Sequence, residues 1–259
     1  MIKINCNTIE RYPDMSDYTN IHEAFCIKKG LTAVVGSGGK TSFINALARE
    51  LTGKIIIATS THIYPFDGIP LYTGDDISEL REMLDDSSLI QTGTLCEDGK
   101  LIVPSISFYE LKGVCDYLLV EADGSRGLPL KVHNDNEPVI PDCTDSVIVV
   151  FGLSGIGMPV KDSVHRYELL MSSFGLSDDE TASPGTLAVM FTEEYMKGCF
   201  GKHPRKISLF FNQNDIEKDS GTPDEDALSA LSYMPQQIVD TVEHIVIGSV
   251  KNSLYIQEK

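Results

Sequence analysis

Residues 34–43, VVGSGGKTSF, set three glycines, a lysine and three hydroxyl residues between apolar neighbours. A turn of this composition between a strand and a helix fans backbone N–H groups around an anion. Gly38 and Gly39 permit positive φ and let the backbone approach phosphate oxygens closely. In this reading Gly36, Ser37, Gly38, Gly39, Lys40, Thr41 and Ser42 contact a nucleotide. Lys40 reaches its β- and γ-phosphates, and the Thr41 hydroxyl binds Mg²⁺. The form is GxxGK[ST], shorter than the common GxxxxGK[ST], because position 34 is valine. The flanking strand and helix, rather than the bare motif, separate it from an ordinary glycine-rich turn.

Phosphate chemistry also needs a carboxylate at a neighbouring strand end. DYLLVEADGSRGLPLK, residues 116–131, supplies Glu121 and Asp123, which alternation puts on one side of the strand. Asp123 is expected to join Thr41 on Mg²⁺, and Glu121 to position a water. The alternative is a strand closing in a DGS turn. IIIATSTHIYP, residues 55–65, ends with hydroxyls at Thr59, Ser60 and Thr61 and then His62. These hydroxyls suit a metal shell or an oxyanion, and equally suit turn caps. Arg166 could stabilise charge on a transferring phosphoryl group, or form a helix-face ion pair. His62 is the histidine best placed for chemistry; His22, His133, His203 and His244 read as surface or structural residues. KISLFFNQND, residues 206–215, keeps the Asn212 and Asp215 of an NKxD guanine-reading motif but puts Gln213 where the lysine belongs. The same residues make a good polar turn, and ATP versus GTP stays open.

The elements that must hold these residues alternate. Segments 31–35, 54–59, 116–122, 146–153, 206–212 and 243–250 read as strands, the last being the final one. Segments 18–29 (closed by Gly30), 40–52, 76–86 (capped by Asp76), 163–175 and 223–234 read as helices. The expected fold is a three-layer α/β/α arrangement on a mostly parallel sheet, P-loop NTPase-like, forming one nucleotide-binding domain over 1–259 with 1–17 as an N-terminal extension. Ligands in such sheets lie beyond the carboxyl ends of the strands, which brings the motifs to one rim.

Composition narrows the partners. The 259 residues carry 38 acids and 21 bases, a formal charge of −17, which argues against nucleic acid or an anionic membrane. No apolar run approaches the roughly 20 residues of a membrane span, and the N-terminus does not read as a secretory signal. The six cysteines form no CxxC pair, which fits reduced thiols in a cytoplasmic protein.

The segments VVGSGGKTS, TSTHIYP, YLLVEADGSRGLPLKVHNDNEPVIP, GMPVKDSVHR and FFNQND, in this order, resemble the YqeC family from about residue 18 to the C-terminus. EADGSRGLPLK followed by EPVIP is the most specific portion. The resemblance implies a P-loop-like NTP-binding accessory protein that helps mature a selenium-dependent molybdenum hydroxylase in the cytoplasm. It implies nucleotide contacts from Gly36 to Ser42, Glu121 and Asp123 near the metal, and Arg126 and Lys131 on the same rim. Gln213 departs from the family's NKxD-like motif. The glycine loop is also similar to that of Mur ligases, whose later elements are not apparent at this length. The leading expectation is an NTPase that uses Mg²⁺ with ATP or GTP and whose partner is a molybdenum hydroxylase or its maturation proteins. The alternatives are a phosphotransferase or ligase activating a small acceptor, and a non-catalytic binder of a molybdopterin nucleotide.

Overall fold

The computed structural model describes residues 16–174, 177, 180–201, 206–218 and 221–258. Near-continuous apolar runs become strands covered on both faces. These are β2 (Gly30–Gly36), β3 (Ile55–Thr59), β6 (Tyr117–Glu121), β7 (Ser146–Gly152), β8 (Lys206–Asn212) and β9 (His244–Ser249). Shorter strands are β1 (Ser16–Tyr18), β4 (Leu71–Tyr72), β5 (Leu89–Thr92) and β10 (Leu254–Gln257). They make one sheet in the order β1-β10-β9-β8-β7-β2-β6-β3-β5-β4. It is parallel except at β1 and β10, where the pairing is antiparallel.

Helices cover both faces. On one side α1 (Lys40–Glu50) buries Phe43, Ile44 and Leu47 against Val34, Ile57, Val150 and Phe210. On the other lie α2 (Ile77–Asp86), α4 (Pro184–Met196) and α5 (Pro223–Tyr233), packed on Val35, Val149, Phe151 and Phe211. Helix α3 (Tyr167–Phe174) follows a short strand pair formed by Leu130–Lys131 and Val164–His165. The three-layer α/β/α expectation is met.

Four local expectations fail. Only Ile21–Ala24 is helical within 18–29, and Cys26 leaves the helix at φ 46°. Gly30 is not a helix stop: it opens β2 at φ 127°, and a Cβ there would lie 2.2 Å from the Asp145 carboxylate. The predicted 163–175 helix is broken by the Val164–His165 strand and by Arg166 at φ 63°, so α3 begins only at Tyr167. The strand over 243–250 is not the last, because β10 returns antiparallel beside it. The expected 1–17 extension lies outside the described residues up to Met15, and Ser16–Tyr18 is an edge strand of the sheet.

Register brings four strand ends level. Val34 pairs with Glu121, Gly36 with Val150, and Gly152 with Asn212. The carboxyl ends of β2, β6, β7 and β8 therefore share one rim, with the start of α1 directly above β2.

Phe43 anchors α1 there, its ring 5.5 Å from Phe25 and 5.3 Å from Phe210 between centroids. Phe43→Ala should cost about 3–5 kcal/mol, read from urea unfolding. A loss below about 1 kcal/mol would show that α1 is not held by this contact.

Candidate functional site

The glycine loop is held tightly from behind. Gly38 has φ 84°, and a Cβ on it would sit 2.2 Å from the Cα of Gly152 and 2.9 Å from the carbonyl oxygen of Pro129. The Ser37 amide donates to Val150 O at 2.8 Å, and the Ser37 hydroxyl donates to Leu128 O. Asn212 donates through Nδ2 to Gly38 O at 2.8 Å and accepts from the Val250 amide at 3.2 Å. Glycine at 38 is thus demanded by backbone against backbone.

The front of the loop is open. Gly39 enters α1 at φ 114° with no side-chain cap. Among the described residues, no protein acceptor is recorded for the amides of Gly38, Gly39, Lys40, Thr41 and Ser42. These five residues line a cleft of about 970 Å³ that also touches His62, Glu121, Arg126, Glu137, Arg166 and Gln213.

Lys40 is 4% exposed. Its ammonium donates to Gly36 O at 2.7 Å and pairs with Asp123 at 2.9 Å. Asp123 is completely buried. One carboxylate oxygen accepts the Gly36 amide at 2.7 Å, meets His133 Nε2 at 2.5 Å and stands 3.5 Å from the Lys131 ammonium. Burial opposes its ionisation, but Lys40, His133 and Lys131 outweigh this and hold the carboxyl well below the usual range. The other nitrogen of His133, Nδ1, is 2.8 Å from Glu194 on α4. Burial also works against an imidazolium, yet the two carboxylates push its pKa up to about 9.

The sequence expectation for the metal pair is altered by this geometry. Thr41 Oγ1 donates to Glu121 at 2.8 Å, while Asp123 is committed to Lys40 and His133. Glu121, not Asp123, is the carboxylate beside Thr41. Burial raises its pKa, with Lys40 and Thr41 opposing. Among the described residues no group of three or more His, Cys, Asp or Glu is placed to hold a metal. A Mg²⁺ ion here would rest on the Thr41–Glu121 oxygen pair and on ligand oxygens, a donor set that suits it.

Arg166 lines the cleft but is held by Glu137 through both guanidinium NH groups, one at 3.0 Å. Of its two sequence readings it takes the ion pair, with Glu137 rather than along a helix face. Lys131 reaches the same carboxylate at 2.7 Å and Gly124 O at 2.6 Å. Burial is overcome by both cations, and Glu137 has a pKa near 2. Thr59 is spent internally, donating to Glu121 O and accepting the Thr61 amide. His62 is exposed on the cleft wall.

Asp215 lies in a pocket of about 310 Å³ that adjoins the phosphate loop at Gly39 and Ser42 and is shared with Asn212, Gln213, Ser249 and Lys251. Ser249 donates to it at 2.6 Å and Lys251 stands 3.4 Å away. Sequence reasoning missed Ser249, Lys251 and the Glu194 end of the His133 bridge. The SVK run at the end of β9, residues 249–251, is a legible cue for the first two. Glu194, 61 residues from His133, had none.

His133 gives the structure a pH signature. Its folded pKa, about 9, exceeds the ordinary 6.5, so its stabilisation is complete below pH 6.5 and is lost as pH rises through 9. Urea midpoints should fall across that window in the wild type, and the fall should shrink in His133→Gln. An unchanged slope would remove the imidazolium.

The YqeC protein family model matches residues 32–168. A curated relative from Escherichia coli (strain K12), described as "Uncharacterized protein YqeC", is 33% identical over 187 residues, which cover 67% of this chain and 71% of the relative. No solved structure matches. Among the described residues no helix is long and apolar enough to cross a membrane. The matched span contains the glycine loop, Glu121, Asp123, His133 and Arg166, and the chain belongs to the YqeC family.

Proposed function

We propose that the chain binds a nucleoside triphosphate with Mg²⁺, hydrolyses it slowly, and serves in the cytoplasm as an accessory protein for maturation of a selenium-dependent molybdenum hydroxylase. The maturation role and its setting rest on the family resemblance. Phosphate binding rests on one observation above others: Gly38 to Ser42, whose five amides have no protein acceptor among the described residues, line a cleft, Lys40 among them.

In this reading the amides and Lys40 take the β- and γ-phosphate oxygens. Thr41 and Glu121 hold the metal, which neutralises phosphate charge and fixes the tail. Asp123 positions Lys40 and the Gly36 amide rather than touching the metal. Both acids at the end of β6 are so engaged, which fits slow turnover until a partner rearranges the rim.

The base would enter the Asp215 pocket. A carboxylate fixed by Ser249 can accept two donors from guanine, whereas adenine turns a ring acceptor toward it. Lys251 returns a cation to this pocket, where Gln213 brings none. GTP is therefore the favoured nucleotide.

Titration with GTP and ATP, with and without Mg²⁺, tests this. Lys40→Ala should lose at least about tenfold in affinity for both nucleotides. Undiminished binding there would remove the phosphate loop. Asp215→Ala should weaken GTP by about ten- to a hundredfold and leave ATP nearly unchanged; equal losses would remove base reading. Glu121→Gln should abolish most of the Mg²⁺ enhancement, and an intact enhancement would return the metal to another group.

A further inference from the structure

Beside the cleft, with neither the glycine loop nor Asp215 in its lining, lies a side pocket of about 310 Å³. Arg126, Leu128, His165 and Arg166 line both spaces, so the two adjoin. Lys161 and Tyr167 complete the cationic and aromatic wall, and Glu168 is the acid among the lining residues. Such a gathering of cations stands out in a chain of net charge −17.

The cations there are not equivalent. Arg166 is neutralised by Glu137. Arg126 is exposed, and among the described residues no hydrogen bond or ion pair to it is recorded. Both arginines have left-handed backbone, φ 53° at Arg126 and φ 63° at Arg166, a region that ordinarily suits glycine. The field has a local witness in His165. Burial lowers its pKa first, and Arg166, Lys131 and Arg126 lower it further, so the space around its ring is positive.

We propose that this side pocket binds the phosphate-type oxyanion of a second small ligand, with Arg126 as its principal anchor. Arg126 presents a planar fork of donors without a protein acceptor, the geometry that grips tetrahedral oxyanions bidentately. Leu128, Val164 and Tyr167 offer apolar surface to the rest of such a ligand. The position beside the nucleotide tail rests on the proposed function; the oxyanion site itself does not.

Inorganic phosphate is the probe, titrated calorimetrically into the full chain without nucleotide. Because the glycine loop is itself read as an anion site, the Arg126 variants are compared within the Lys40→Ala chain, which should keep a phosphate site after the loop's is lost. Arg126→Ala should weaken binding by about tenfold or more. Arg126→Gly, which suits the left-handed backbone, should lose it equally, so a folding defect cannot account for the result. Unchanged affinity in either Arg126 variant would overturn the site. So would the absence of phosphate binding by Lys40→Ala. Arg126-dependent phosphate binding in a chain that takes no nucleotide would sink the proposed function and leave this site standing.

Discussion

A buried carboxylate with three cationic neighbours organises the rim of this protein. Asp123 is fully enclosed, and an isolated charge so placed would be prohibitively costly. It persists because Lys40, Lys131 and His133 surround it and the Gly36 amide donates to it. These contacts connect β2, the start of α1, β6 and the loop after β6. Remove the carboxylate and three cations are left buried without their common partner. Breaking such a set by one member is far more damaging than its net contribution suggests.

From that centre the charges alternate outward. His133 passes to Glu194 on α4, and Lys131 passes to Glu137 and so to Arg166. The first branch ends on α4; the second reaches the cleft wall at Glu137 and Arg166. A ligand that drew Lys40 forward would disturb both branches at their shared origin. α4 and the Arg166 segment are thus the elements best connected to events at the glycine loop.

Much of the fold was legible in the sequence, because strands buried on both faces are written as unbroken apolar runs. LTAVV, SVIVVFGL and KISLFFN could hardly be anything else. What escaped was short or two-sided. β1, an edge strand, and β10 beside it are only three and four residues long. α4, buried at Leu187, Ala188, Met190 and Phe191, drew no assignment, although Ser183 and Thr186 announce it with a capping box. At the site, residue types were readable but pairings were not. Glu121 and Asp123 are equivalent by alternation, and only the inward fold of Lys40 decides that it meets Asp123 while Thr41 meets Glu121. His133 looked structural in sequence and is, but its charge depends on two acids that no local pattern could bring together.

The glycine loop is already shaped before anything reaches it. Gly38 is wedged between Gly152 and Pro129, and Asn212 clips its carbonyl. The entropy of ordering this turn is therefore spent during folding, alongside the core, and not at the moment of capture. For whatever anion it receives, association should proceed near encounter speed, and selectivity should show itself in how long the guest stays.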